Sequence, residues 1–342
     1  MNFSSHPGLA VLNPNGRDPD QSFAEGPGLP ADALHPPVNY HAYAACTRGG
    51  FYRHTDRAAS HRSVLLLLRG DFSEAGKAFE TLKAHGCFIA ISFKESGTHQ
   101  ATKQLSHPRR FQLFREIAAT ADLCLSSTPD LVPLYASVSK RVAFVPTPYP
   151  IDVPEWDFSK PVGERKGIFI GTREFDVPTR NHLLALAAAR TLSFPVTVVN
   201  SDGRSGLRKL AMLKFPEDQL TVAKPLPFQG YLRLMASHRL VLQFDQSAVP
   251  GQVAGDSLLC RIPTVGGNGA IERVAFPELN GHGRNFEELR KLTRRLLEDD
   301  TFYAQQIAEQ KKIAQLSFAK TRETLASLFP GLGRASSSTL AG

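Results

Sequence analysis

Gly251-Gln252-Val253-Ala254-Gly255-Asp256-Ser257-Leu258-Leu259-Cys260-Arg261-Ile262-Pro263-Thr264-Val265-Gly266-Gly267-Asn268-Gly269-Ala270-Ile271-Glu272 is the stretch whose reading decides the fold. A glycine turn (Gly251, Gly255) leads into a short apolar helix over 256–260. Pro263 ends that helix, because proline has no N–H to donate. Thr264-Val265 reads as a short strand, and a second glycine turn (Gly266, Gly267) leads on to Glu272. Turn, helix and strand this close together can aim backbone N–H groups and one carboxylate at a bound phosphate and sugar. The same residues also read as an ordinary helix-to-strand connection, since short glycine motifs recur by chance.

Working backwards, 240–244 is a strand that feeds this stretch. Strands at 167–170, 196–199 and 220–223 alternate with helices at 181–191, 206–212 and 228–237. The same alternation fills the first part of the chain. Strands fall at 8–12, 63–68, 87–93, 123–126 and 141–145, and helices at 41–46, 73–84, 111–121 and 129–136, with Ser73 as an N-cap. Residues 17–37 read as irregular. The run Ser63-Val64-Leu65-Leu66-Leu67-Leu68 suits a parallel strand buried on both faces. Pro146, Pro148, Pro150, Pro154 and Pro161 break the pattern and read as a linker. Downstream, Asn285 and Glu288 have capping-box spacing before a helix with the apolar stripe Leu289, Leu292 and Leu296. A long, interrupted helical stretch follows over 301–328. The expectation is an α/β chain of two Rossmann-like doubly wound domains. The first is 1–150, the second 151–315, and 316–330 is a terminal helix that can cross back to the first. Residues 331–342 read as a disordered tail.

The 342 residues suit two domains, and 42% apolar content suffices for two cores. Net charge is +8 and unevenly spread, with twelve Lys or Arg against five Asp or Glu between Arg48 and Arg115. Such a face attracts anionic partners or is simply solvated. It lacks an interleaved aromatic stacking motif, which argues against nucleic acid. The four cysteines (Cys46, Cys87, Cys124, Cys260) form no C-x-x-C pair and read as buried free thiols of a reducing compartment. The amino terminus has no signal-peptide pattern, and the longest apolar run, 64–68, is too short to span a bilayer. A cytoplasmic location is expected, with peripheral association at the inner face of a membrane left open.

In open α/β sheets ligands bind at the carboxyl ends of the strands. In the second domain these ends carry Arg173, Asn200, Lys224, Asp245 and Gly266-Gly267, with Arg180 nearby and Asp256 at a helix start. Cations and helix N–H groups suit a diphosphate, and a lone acid suits a ribose diol.

On these residues the chain resembles the GT-B glycosyltransferases, in particular the nucleotide-sugar-dependent group with a Glu-x7-Glu motif. In that group a segment of the form E-A-x-A-x-G-x-P is usual, and Asp256 to Pro263 is similar to it. Gly251 falls at the group's glycine and Gly266-Gly267 near its later glycine pair. Residues 121–123 and 145–146 resemble the group's first-domain strands. The resemblance covers roughly 60–315, and implies two domains facing each other across a cleft. It implies a nucleotide-sugar donor bound by Gly16, Arg173, Arg180, Lys224, Asp245, Gly251, Gln252, Asp256, Gly266 and Gly267. It further implies that no metal or other cofactor is needed. The departures are specific. Ala248 stands where the group's first Glu contacts the transferred sugar, with Asp245 or Gln246 as substitutes. The second Glu, the ribose ligand, is shortened to Asp256. Arg261 replaces the glycine before the proline.

The first domain is expected to supply the acceptor site, for a glycan, a lipid-linked glycan or a small molecule. Its most polar strand end, 93–100, offers His99 as general base with Glu95 as competitor. The loop 13–17, with Gly16, faces the same cleft in this reading. The histidines have no zinc-ligand spacing. The expected activity is transfer of a sugar from a nucleoside diphosphate sugar to an acceptor hydroxyl. A catalytically impaired binding or scaffold protein, and a sugar-nucleotide epimerase of the same shape, are the alternatives.

Overall fold

The computed structural model describes residues 7–30, 35–171, 175–310 and 313–332. Arg173 and residues 333–342 of the expected disordered tail lie outside the described residues. The chain divides into two compact units: Met1–Asp152 with Gln315–Gly342, and Val153–Ala314.

The first unit is built on strands β1 (Ala10–Leu12), β2 (Gln21–Ser22), β3 (Gly50–Tyr52), β4 (Ser63–Leu68), β5 (Phe88–Phe93), β6 (Leu123–Ser126) and β7 (Val142–Phe144). They form one sheet in the order β2-β3-β1-β4-β5-β6-β7. All neighbours are parallel except β2, which pairs antiparallel with β3 at the edge. Every residue of β4 is buried, as its unbroken apolar run requires of a strand covered on both faces. Phe93 stacks on Phe114 at 5.0 Å and on Tyr135 at 5.4 Å, and the Tyr135 hydroxyl accepts the Phe93 N–H at 2.8 Å. The polar atom of a buried aromatic is thereby satisfied.

The terminal helix Phe318–Leu328 belongs to this unit. Asp152 accepts the N–H groups of Phe318 and Ala319 at 3.1 and 3.0 Å, placing a negative charge at the helix's positive end. Ser317 accepts from Lys320 N–H at 3.1 Å as N-cap.

The second unit is built on β8 (Ile168–Ile170), β9 (Val196–Val199), β10 (Leu220–Ala223), β11 (Leu240–Gln243) and β12 (Thr264–Gly266). They are all parallel, in the order β10-β9-β8-β11-β12. The chain winds outward from β8 in one direction and then restarts from β11 in the other. The switch point therefore lies between β8 and β11.

Several local expectations are corrected. Ser73 is not the N-cap of its helix but its first residue. Phe72 holds the cap position in the left-handed region (φ 68°), and the Asp71 carboxylate accepts the Ser73 N–H at 3.1 Å. Residues 98–105 are a helix rather than the end of a polar loop; only Ala101 of it is buried. The key helix runs Gln252–Leu259, so Gly255 lies inside it and Asp256 in its second turn rather than at its start. Strands β2 and β3 and the helices Thr55–Ala58 and Ala270–Ala275 add to the expected elements.

The capping box is as the spacing requires. Asn285 accepts from Glu288 N–H at 3.0 Å, and Glu288 accepts from Asn285 N–H at 2.8 Å. Asn285→Ala is expected to cost about 1 kcal/mol, read as a lower urea midpoint with an unchanged slope.

All four cysteines are buried and free. No helix among the described residues is long and apolar enough to cross a membrane.

Candidate nucleotide site

The carboxyl ends of β8 and β11 are adjacent, about 4.8 Å apart by sheet geometry, with Gly171 N–H bonded to Leu242 O at 3.0 Å. From β11 the chain runs through Phe244, Asp245 and Ser247 to Gly251, and then into the helix Gln252–Leu259. That helix starts from Gly251 in the left-handed region (φ 96°). Among the described residues no side chain caps it, and its first turn holds no acidic residue. Its positive end therefore lies at the switch point with no carboxylate of its own turn to neutralise it.

Asp245 is buried, and its carboxylate is engaged within the loop. It accepts from Ser247 N–H at 2.8 Å and from the Ser247 hydroxyl. Its other oxygen stands 3.9 Å from Arg180 Nε. Arg180 is half-buried and therefore sits at the switch point beside β11. Gln246 is exposed, and its N–H bonds Thr179 O at 2.8 Å. Ala248 adopts φ 47°, and its N–H donates to Asn268 Oδ1 at 2.7 Å.

A carboxylate buried in this region is Glu272, in the first turn of Ala270–Ala275 and 2% exposed. Its Oε1 accepts from Gln243 Nε2 at 2.8 Å. Its Oε2 is buried with no hydrogen-bond partner among the described residues. Glycines surround it. A Cβ on Gly251 would fall 2.1 Å from Oε2, one on Gly269 2.4 Å from Oε2, and one on Gly267 2.9 Å from Oε1. Burial, with the Asp245 charge adding to it, raises the Glu272 carboxyl to about 8. Glu272 is thus a neutral acid at pH 7, able to donate as well as accept.

The predicted residues divide. Gly251, Gln252, Gly266, Gly267, Asp245 and Arg180 gather around the ends of β11 and β12 and the helix start. Gln252 is the first, exposed residue of the helix. Asp256 is 2% exposed, buried in the body of the helix. Lys224 is exposed after β10, the edge strand, two strands from β8. It does not join the group. Gln243, Ser247, Asn268 and Glu272 lie with this group; of them the sequence reading singles out Ser247, beside Asp245, and Glu272, at the end of the glycine stretch, but not Gln243 or Asn268. Gln243, a polar end to an apolar strand, and the glycine run ahead of Glu272 were the available signals.

In the first unit, Gly16 is buried in the loop after β1, and its N–H bonds Asn13 O at 2.9 Å. A Cβ there would meet Asn13 Nδ2 at 2.3 Å. His99 is exposed in the first turn of Thr98–Leu105, and Glu95 is half-buried, accepting from Gln104 at 3.3 Å. Beneath them lies a hydroxyl network. Tyr40 bonds Ser92 at 2.9 Å and Phe93 O at 2.5 Å, and Ser127 bonds Ser96 at 2.9 Å. It anchors the segment between β5 and the helix. Among the described residues no group of three or more His, Cys, Asp or Glu is placed to hold a metal ion.

No protein-family model matches this chain, and no curated protein matches it. Solved structures do. HepE of Anabaena, in complex with UDP and glucose, superposes with a TM-score of 0.58 at 13% identity, over 80% of this chain and 79% of that one. The E. coli trehalose-6-phosphate protein bound with UDP-2-fluoro glucose gives 0.58 at 12%, over 78% and 72%. The UDP-forming α,α-trehalose-phosphate synthase of Burkholderia xenovorans gives 0.57 at 11%, over 78% and 73%. At these identities the shared property is the fold, and the chain has the GT-B fold.

Proposed function

We propose that this GT-B chain transfers a sugar from a nucleoside diphosphate sugar to an acceptor hydroxyl. The observation that carries the reading is the positive end of the helix Gln252–Leu259, set at the switch point of the second unit's sheet with no acidic residue in its first turn. Backbone N–H groups at a helix start are a ready anion site, and open α/β sheets take their ligands at this place. Structural neighbours with UDP bound support the same choice of ligand.

In this reading the diphosphate lies against residues 251–254, with Arg180 as a nearby cation. As the bond between the anomeric carbon and the β-phosphate oxygen breaks, negative charge grows on the leaving diphosphate. The helix end and the cation stabilise that charge without having to reorganise. The acceptor oxygen bonds to the anomeric carbon and gives up its proton. We assign acceptor recognition, for a glycan, a lipid-linked glycan or a small molecule, to the first unit. His99 is our first choice as proton acceptor and Glu95 the second. We assign the ribose to a carboxyl of the Gly251–Glu272 stretch, with Asp256 and Glu272 as its two acids. Full activity in the presence of EDTA is expected.

A binding or scaffold role is the second reading, and Ala248 favours it. No carboxylate occupies that position, and its N–H is turned to Asn268.

Thermal unfolding with UDP, GDP, ADP, CDP and dTDP, followed by the matching labelled sugar nucleotides, separates the two. One diphosphate at 100 times its Kd is expected to stabilise by about 2.7 kcal/mol, and its sugar nucleotide to release label to acceptor or water. Stabilisation with no release favours the scaffold, and no stabilisation by any of the five ends the donor reading.

A further inference from the structure

The second unit holds a cavity of ≈560 Å³ at the other end of its sheet. Lys166 and Arg239 lie just before β8 and β11, so the cavity opens at the amino ends of the strands, opposite the candidate nucleotide site. One wall is a face of the helix Asp300–Gln310 carrying Tyr303, Ala304, Ile307 and Ala308. The small residues Ala304 and Ala308 leave the space open.

The polar wall is cationic. Arg165 is 7% exposed, yet its guanidinium meets only neutral acceptors. It donates to Lys160 O at 2.9 and 2.7 Å, to Arg261 O at 2.6 Å and to the Tyr303 hydroxyl at 3.2 Å. Among the described residues no carboxylate stands within ion-pair distance of it. Arg239 donates to Leu296 O at 2.7 Å and to Asp300 at 2.5 Å, and lies over the Tyr303 ring at 4.3 Å. Lys166 is exposed at the rim. Among the described lining residues three cations thus face one carboxylate, and that carboxylate is 90% exposed. A buried charge without a counter-charge is costly, and an anion in the cavity would relieve it.

Size, apolar wall and charge together select the ligand. The volume is that of a small-molecule site. A cation would be repelled, and a neutral apolar molecule would leave Arg165 uncompensated. We propose that this cavity binds an amphipathic anion, a phosphate or carboxylate carried on an apolar body. The anionic end meets Arg165, Lys166 and Arg239, and the body lies along Tyr303, Ala304 and Ile307. The proposal is independent of the nucleotide reading, and its test uses no nucleotide.

The probe is 1-anilinonaphthalene-8-sulfonate, a fluorescent amphipathic anion, titrated into the full chain. Saturable one-site binding is expected, displaced by dodecyl phosphate below its micelle concentration and not by dodecyl maltoside. Lys166→Glu, an exposed change that preserves the fold, is expected to weaken binding at least tenfold. Ala304→Trp fills the cavity and is expected to abolish binding; if that variant fails to fold, Lys166→Glu alone decides. Co-sedimentation with phosphatidylglycerol vesicles, lost in Lys166→Glu, assigns the anion to a lipid. Displacement by dodecyl phosphate without co-sedimentation assigns it to a soluble molecule. No saturable binding, no displacement by dodecyl phosphate, or equal binding by wild type and Lys166→Glu overturns the proposal.

Discussion

Glu272→Gln is expected to stabilise the protein by about 3 kcal/mol at pH 7 and by almost nothing at pH 4. The Glu272 carboxyl has an ordinary value of 4.5 and is raised to about 8 in the folded chain, first by burial and then by the Asp245 charge. Below pH 4.5 the acid is protonated in both states and contributes no difference. Between 4.5 and 8 the unfolded chain ionises while the folded chain keeps its proton. The folded state then binds more protons, and stability falls as pH rises, by about 1.4 kcal/mol per unit. Above 8 the penalty is complete. Gln has the shape of the protonated acid, offers a donor and an acceptor, and does not ionise. The variant should therefore lack this slope. Urea unfolding of both proteins from pH 4 to pH 8.5 measures it. Parallel pH profiles would mean that Glu272 carries an ordinary ionised carboxylate.

Gly251→Ala is expected to destabilise the protein by at least about 3 kcal/mol. Two costs add. The position has φ 96°, which L side chains rarely adopt. The new Cβ would also stand 2.1 Å from Glu272 Oε2, which must then shift within its buried site, and a tight 3.0 Å from Ile271 Cβ. The second cost depends on Glu272. In a Glu272→Ala background Gly251→Ala should therefore cost less, leaving mainly the backbone strain and the Ile271 contact. A double-mutant cycle reads the difference. Strict additivity would show that the two residues do not touch.

How much of this was legible depends on where the decisive contacts lie. The bounds 63–68, 73–84, 123–126, 196–199 and 220–223 coincide with the structure. In β4 an unbroken apolar run has one reading, and in 73–84 the buried Ala75, Ala78, Phe79 and Leu82 keep helical spacing. The helix 98–105 was missed because its sequence, Thr-His-Gln-Ala-Thr-Lys-Gln-Leu, buries one residue and shows no apolar stripe. Strand β3 was missed because three residues are too few to show alternation. At the site, the turn-helix-strand frame was legible, but the helix start was placed four residues late. Gly255 was read as part of the turn, whereas Ala254, Gly255 and Leu258 are all buried in the helix. With the helix starting at Gln252, Asp256 lies in its second turn rather than at its start. The burial of Glu272 comes from Gly251, Gly267 and Gly269 closing around it from three segments, a tertiary fact that no spacing reports. Sequence alone makes every strand end equivalent, and this groups Lys224 with the others. The sheet order puts β10 at the edge, away from the switch point.

The central claim is that the start of the helix Gln252–Leu259 holds a nucleoside diphosphate. Isothermal titration of wild type and Gln252→Glu with whichever of UDP, GDP, ADP, CDP and dTDP stabilises the wild type tests it most directly. Gln252 is the exposed first residue of that helix. A carboxylate there should stabilise the free protein by about 0.3–1 kcal/mol through the helix dipole. The same charge should repel the diphosphate and raise its Kd at least about tenfold, or 1.4 kcal/mol. Opposite shifts in unfolding midpoint and affinity are the predicted result. Diphosphate binding of equal strength in both proteins, or no binding of any of the five by wild type, would contradict the claim.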